Sequence, residues 1–194
     1  MKEQALPKPK LKGAVSVEES IYKRRSVRNY ASKTVSLEDV SQILWACQGI
    51  TDPRGRFRAA PSPGALYPLE VYIVKDDGVF HYMPTGHKLE AISDKNLKAE
   101  LAAAAWGQVF IQDAGLDIII CAVYDRVTAK YGKNGIRWTD MEAGHAAQNV
   151  FLQAEALGLS GVPVGAFDEN AVSRLLNLPR ESKPIYILPI GYKR

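Results

Sequence analysis

The segment LDIIICAVY, residues 116 to 124, is a continuous apolar run but for Asp117 and is rich in β-branched side chains. A strand of this kind has no polar face to give to water, so it belongs at the centre of a sheet. The rest of the chain has to be arranged around it. LEVYIVK (69 to 75) and VFHYM (79 to 83) flank Asp76, Asp77 and Gly78, which is a hairpin signal, and PIYILPI (184 to 190) supplies a final strand. Helices are marked by their starts. Ser16 with Glu19, Ser36 with Asp39, and Thr139 with Glu142 all have the spacing of a capping box. The first predicts a short helix running into a basic stretch. The second predicts a helix with the apolar stripe Leu37, Val40, Ile43, Leu44 and Cys47, ending at Gly49, and the third a helix from Met141 to Leu157, ending at Gly158. LKAELAAAAW (97 to 106) is a strong helix former, and a shorter helix is expected around Glu169 to Leu176. There is no βαβ repeat and no dinucleotide-binding glycine fingerprint. The expected class is therefore α+β, with a mostly antiparallel or mixed central sheet flanked by helices.

A chain of 194 residues, 46% of them apolar, can bury one sizeable core. The expected organisation is a flexible basic N-terminal arm over residues 1–15, which is Pro- and Lys-rich without periodicity, followed by a single domain over 16–194. No apolar run is long enough for a membrane span and no signal-peptide pattern follows the first lysines. Cys47 and Cys121 match no disulfide or metal spacing, which points to buried thiols and a cytoplasmic protein. TDPRGRFRAAPSPGALYP, from 51 to 68, has Pro and Gly but no period and reads as a long, functional loop. In the long helix Gly144, Ala147, Gln148 and Ala154 are small or polar, as suits a core element or the seam of a homodimer.

The formal charge of +4 raises the chance of anionic ligands, but position matters more than the total. YKRRSVRNY, 22 to 30, carries no acid. By charge count alone such a run is an exposed face. Yet Arg24, Arg25 and Ser26 stand at the end of a short helix and Arg28 follows where the chain turns extended, a cluster that suits one compact anion such as a phosphate. Arg54, Arg56 and Arg58 with Phe57 raise nucleic-acid binding, but no zinc finger, RNA-binding aromatic motif or helix-turn-helix pattern accompanies them. No nucleic-acid partner is expected. His81, His87 and His145 gather no metal ligands, and no metal site is expected. Glu142 and His145, three apart, read as an internal helical pair. A nucleophile elbow and a phosphate-binding P-loop are both missing. VPVGAFDEN (162 to 170) is a connection whose backbone N–H groups could face a flat ligand.

Together RRSVRNY, PSPGALYPLEVYIV, AKYGKNGIRW, EAGHAAQNVFLQAEALGLSGVPVGAFD and LPIGY, in this order from about residue 20 to 192, resemble the FMN-dependent nitroreductase family. The nearest branch includes the azoline dehydrogenases of peptide maturation. The resemblance implies a nitroreductase-like α/β sandwich, an intertwined homodimer, and FMN in a cleft made by both subunits. It places Arg24, Arg25, Ser26 and Arg28 on the FMN phosphate and ribityl chain. Ser62, Ala65 and Leu66 come from the partner subunit beside the pyrimidine edge. Many relatives have Asn where Ala65 stands. Pro163, Val164, Gly165 and Ala166 match the stretch behind the isoalloxazine ring, with a backbone N–H near Gly165 meeting N5; classical members often carry an acidic residue at 165. The chain stops at Lys193 and Arg194, where many relatives continue, and these bases are candidates for the phosphate.

The activity so implied is oxidation of NADH or NADPH with reduction of a small-molecule acceptor, nitroaromatic, quinone or another conjugated compound, by a ping-pong route. Lys130 and Tyr131 match the pair that acts in proton removal in azoline dehydrogenases, giving that activity as an alternative. The residues alone read KYGKNG as a surface loop. A flavin-binding protein without turnover is a further alternative. No membrane association is expected.

Overall fold

The computed structural model describes residues 2–194. Leu116–Ala122 (β5) is buried along its whole length and lies near the middle of a seven-stranded sheet. Around it are Glu3–Ala5 (β1), Leu69–Lys75 (β2), Gly78–Met83 (β3), Lys88–Ser93 (β4), Ser160–Gly161 (β6) and Lys183–Gly191 (β7). The strand order is β1-β4-β3-β2-β5-β7-β6 and every pairing between these strands is antiparallel.

The period of a strand divides β5 between two cores. Leu116, Ile118, Ile120 and Ala122 face one apolar cluster, while Ile119 and Cys121 face the other. Leu37–Gln48 (α2) and Asn134–Ala156 (α6) cover the first face with Val40, Ile43, Leu44, Cys47, Val150 and Phe151. Lys98–Ala104 (α3), Val109–Asp113 (α4) and Glu169–Leu175 (α7) cover the second with Leu101, Ala102, Ile111 and Val172. Each fully buried isoleucine of β5 contributes about 2–3 kcal/mol, so this strand organises both layers. The α+β class follows from that packing. Val17–Lys23 (α1) and Asp125–Tyr131 (α5) lie outside the two main layers.

The boxes at Ser16 and Ser36 are real caps, their side chains accepting from Glu19 N–H and Asp39 N–H at 3.1 Å. The box at Thr139 is not one. α6 starts at Asn134, and Thr139 is buried inside it with its Oγ1 donating to the Gly135 carbonyl at 2.8 Å. A threonine and a glutamate three apart occur equally well in a helix interior, where a hydroxyl bonds back one turn. KYGKNG, read as a surface loop, is the end of α5 and the start of α6.

Within the 1–15 stretch, expected as a flexible arm, residues 3–7 are tied to the domain. Glu3, Gln4 and Ala5 pair with Glu90, Leu89 and Lys88 of β4. Leu6 is buried and its N–H donates to the His87 carbonyl at 3.0 Å; Ser41 Oγ donates to the Pro7 carbonyl at 2.6 Å. One leucine and a row of main-chain bonds outweigh the lysines around them, and composition does not show such pairing. Among the described residues, no helix is long and apolar enough to cross a membrane.

Candidate functional site

Three pieces distant in sequence meet at the β6–β7 edge of the sheet. Ser26 forms a parallel bridge with Gly161, and Val27 N–H donates to the Gly161 carbonyl at 3.1 Å. Val164 and Ile187 exchange main-chain hydrogen bonds at 2.8 and 3.0 Å. Tyr30 bridges to Lys193, and Arg194 N–H donates to the Asn29 carbonyl at 3.2 Å. Tyr30 fixes the register: it is buried, and its hydroxyl donates toward the Val27 and Pro189 carbonyls at 2.7 and 3.1 Å. Gly161 allows the close approach, because a Cβ there would fall on the Ile190 side chain and the Pro189 carbonyl.

This geometry collects Arg24, Arg25, Ser26, Arg28, Pro163, Val164, Gly165, Ala166, Lys193 and Arg194 on one edge. Among the described residues none of these five cations forms an ion pair. Arg24 makes no side-chain hydrogen bond, Arg25 folds back onto the Tyr22 and Arg24 carbonyls at 2.9 and 2.8 Å, and Arg28 lies 5.8 Å from the centre of the Phe110 ring. Val164 N–H is used within the sheet, whereas Gly165 is exposed and its N–H has no main-chain acceptor among the described residues. A Cβ at Gly165 would meet only Tyr186, at 3.9 Å, so the space over it is open. Gln108 Nε2 donates to the Ala166 carbonyl at 3.0 Å and so ties the α3–α4 turn to this segment. Free cations on one side and an open N–H on the other suit a ligand with an anionic tail and a flat head carrying an acceptor.

Ser62, Ala65 and Leu66 are elsewhere, in a single 3₁₀ turn, Pro63–Ala65, against the first half of α6. Ser62 Oγ accepts from Tyr67 N–H at 2.9 Å. Gly64, Ala65 and Tyr67 have φ of 59°, 54° and 49°, a left-handed path that costs a non-glycine residue about 1–2 kcal/mol. Tyr131 packs on Gly64: a Cβ there would lie 2.5 Å from the tyrosine hydroxyl. Lys130 is exposed, its ammonium 5.1 Å from the Tyr131 ring centre. Along α6 Ser62 neighbours Glu142, while Gly161 touches Phe151, nine residues or about 14 Å further on. One copy of the chain thus presents two separate groups of candidate residues.

The turn borders a cavity of about 450 Å³ lined by Pro61, Pro63, Tyr131, Trp138, Met141 and Glu142, with His145 at its wall. Glu142 is buried and does not pair with His145. Its Oε1 accepts from Gln48 Nε2 at 3.3 Å, and Gln48 Oε1 in turn accepts from Arg58 Nη1 at 3.0 Å. Burial pushes the Glu142 carboxyl up to about 7, against the pull of Ser62, Gln48 and Arg58. The helical phase could have revealed it, since Glu142 falls on the buried stripe with Thr139, Ala143, Ala146 and Val150. A larger groove, about 720 Å³ between α3 and α7, has none of the candidate residues in its lining. Among the described residues no three His, Cys, Asp or Glu side chains are placed to hold a metal ion.

A candidate nitroreductase of Methanocaldococcus jannaschii is 44% identical over 92% of this chain and 92% of its own. The microcin B17-processing protein McbC of Escherichia coli is 25% identical over 79% of this chain and 61% of its own. The crystal structure of a candidate nitroreductase from Ralstonia eutropha, 26% identical, superposes with a TM-score of 0.90 over 100% of this chain and 90% of that one. The nitroreductase family model runs from residue 21, in the basic stretch, to residue 192, just before the two last bases. The match covers most of the chain, and the chain belongs to the nitroreductase family of oxidoreductases.

Proposed function

We propose that the protein is an FMN-dependent oxidoreductase that takes electrons from NADH or NADPH and delivers them to nitroaromatic, quinone or related conjugated acceptors in a ping-pong cycle. The observation that supports this reading is the β6–β7 edge, which gathers the segments carrying five cations that form no ion pair among the described residues and the segment carrying the exposed Gly165. Arg24, Arg25, Ser26 and Arg28 hold the FMN phosphate and ribityl chain, helped by Lys193 and Arg194. The Pro163–Ala166 backbone lies behind the ring, with Gly165 N–H directed at N5. FMN supplies the hydride and electron chemistry when bound; this chain neutralises its phosphate, orients it and leaves one ring face open.

The functional unit on this reading is a homodimer. Ser62, Ala65 and Leu66 complete the site of the other copy, and the exposed Val17, Ile21, Tyr22, Ile136, Trp138 and Met141 provide apolar surface for the contact. The test is optical. The purified protein is expected to be yellow, to bleach anaerobically with NADH or NADPH, and to regain colour with a quinone. A yellow protein that neither nicotinamide bleaches would be a flavin-binding module instead, and a protein that cannot be loaded with FMN would end the reading.

One observation favours a second activity. Tyr131 reaches the cavity wall through its contact with Gly64, and Lys130 adjoins it, so an azoline-type dehydrogenation of a peptide heterocycle has a candidate pair in place. Lys130→Ala separates the two: quinone reduction is retained under the first reading, whereas azoline oxidation is lost under the second.

A further inference from the structure

The two ring nitrogens of His87 are held from opposite sides by buried hydroxyls. Nδ1 lies 2.9 Å from the Tyr82 hydroxyl, and Nε2 lies 2.7 Å from Ser41 Oγ and 3.1 Å from the Pro7 carbonyl. Elimination fixes the protons. Tyr82 is 1% exposed and its hydroxyl has no other acceptor among the described residues, so it donates to Nδ1. Nε2 then carries the proton of the neutral ring and donates to Ser41 Oγ, whose own proton goes to the Pro7 carbonyl at 2.6 Å. The His87 carbonyl accepts from Leu6 N–H at 3.0 Å. One residue of the β3–β4 turn thus grips two successive residues of the N-terminal segment. It does so at a left-handed φ of 46°, which a side chain of this size keeps only where its contacts hold it. Further along, Lys10 N–H donates to Gln42 Oε1 at 2.8 Å, and Gln42 Nε2 donates to the Lys10 carbonyl at 3.1 Å.

We propose that residues 3–10 are a strap closed by a proton-sensitive clasp at His87, and that a second proton on the ring opens it. With both nitrogens protonated, Nδ1–H faces the oxygen of Tyr82, whose own hydrogen is left in the core without an acceptor. The charged ring is better served by water, and in turning to it leaves Ser41 and Pro7. His87 enters no ion pair among the described residues that would offset the charge. The groups around it are Tyr82 of β3, Cys47 of α2 and Arg58, both of which act on that tyrosine, Glu38 one turn before Ser41, and Lys8 and Lys10 of the strap. Lys88, next in the chain, is tied to Glu3 at 2.7 Å, and strand alternation turns His81 and Glu90 to the other face of the sheet. Burial holds the imidazole below its ordinary range, against the Pro7 carbonyl, which favours the charged ring. The closed strap therefore binds fewer protons than the open one. Its hold is complete above about pH 6.5 and is lost as pH falls through the lower value of the closed form. Opening bares the outer edge of β4, a row of main-chain groups on which another extended chain can pair.

Hydrogen exchange of the purified protein tests this, with each amide expressed as its protection relative to an unstructured chain at the same pH. The Leu6 and Lys10 amides should lose about 10-fold or more of their protection between pH 8 and pH 5, while the Ile119 amide at the centre of β5 loses none. The His87 Cε1–H resonance, followed by NMR over the same range, should titrate with the midpoint of that loss. His87→Asn removes the ring and leaves a residue that tolerates the left-handed turn. At pH 8 its Leu6 and Lys10 amides should already stand near the level that the wild type reaches at pH 5, and acidification should change them little. Wild-type strap protection that does not fall with pH, a midpoint separate from that of the ring, or a loss shared by Ile119 overturns the proposal. A variant as protected at pH 8 as the wild type also overturns it. Should His87→Asn fail to fold, the two wild-type midpoints decide: coincidence supports the clasp and separation ends it.

Discussion

The arginines of the basic stretch differ in what they are free to do. Among the described residues Arg24 has neither an ion pair nor a side-chain hydrogen bond, so removing it should cost the fold little but weaken the proposed phosphate contact. Arg24→Ala is expected to raise the FMN dissociation constant about 10- to 100-fold, the value of a charge-assisted hydrogen bond, with the melting of the flavin-free protein unchanged. Arg25 also closes the end of α1 through the Tyr22 and Arg24 carbonyls. Arg25→Ala should therefore lose both affinity and about 0.5–1.5 kcal/mol of stability; flavin fluorescence quenching and urea unfolding separate the two effects. Glu142 makes a different kind of prediction. Its carboxyl is raised to about 7 in the folded chain, so the folded state binds more protons than the unfolded one between the ordinary carboxyl range and that value. Stability should be full below about pH 4.5 and fall as pH rises through 7, by at most about 3 kcal/mol. Glu142→Gln removes this dependence, so urea unfolding should show the variant gaining on the wild type at pH 8 and losing that gain at pH 5. The arginines were legible in sequence because an unopposed charge run is visible there. Glu142 was read only as a helical partner of His145, because its raised carboxyl comes from the burial of its face of α6, which the helical phase alone could have signalled.

Elements were legible where one local signal decides them. β5, apolar at every position but the buried Asp117, needs two covered faces, and the Asp76–Asp77 turn closes β2 on β3 with Lys75 opposite Gly78. The start of α6 and the strands β1, β4 and β6 were not legible, for a common reason. Each is made by pairing or packing with distant chain: β1 is an edge strand exposed at all three positions, β4 beside it is mostly half-buried, and β6 is only two residues long. Yet β6 organises the candidate site, since Gly161 receives Val27 N–H on one side and pairs with Ile190 on the other. Gly161→Ala should force β6 from β7. The expected cost is about 2 kcal/mol or more, together with loss of FMN affinity, because the basic stretch loses its anchor. Gly144→Ala is the internal control. No atom lies within 4 Å of its new Cβ, and a helix gains up to about 1 kcal/mol from that change. The small residues of α6 also divide by structure: Ala147 and Ala154 are buried in the core, while Gly144 and Gln148 are exposed, so they do not form a single seam.

At the scale of the whole molecule the question is why two groups of candidate residues sit beside different stretches of α6. Within one copy, the turn at Ser62 to Leu66 meets α6 at Glu142, and the cationic edge meets it near Phe151. The proposed two-fold dimer would remove the difficulty if its symmetry set the turn of each copy against the edge of the other, making two equivalent sites. Complementation tests this without a structure of the assembly. Arg24→Ala damages the cationic half, and Ala65→Arg fills the exposed turn without entering the core. Each variant alone should bind FMN poorly. When the two are unfolded, mixed in equal amounts and refolded, half of the dimers are mixed, and each mixed dimer has one site with both defects and one with neither. FMN binding should then recover at about a quarter of all sites. If each copy built its site alone, every site would retain one defect and no recovery would be seen, so flavin titration of the refolded mixture distinguishes the two architectures.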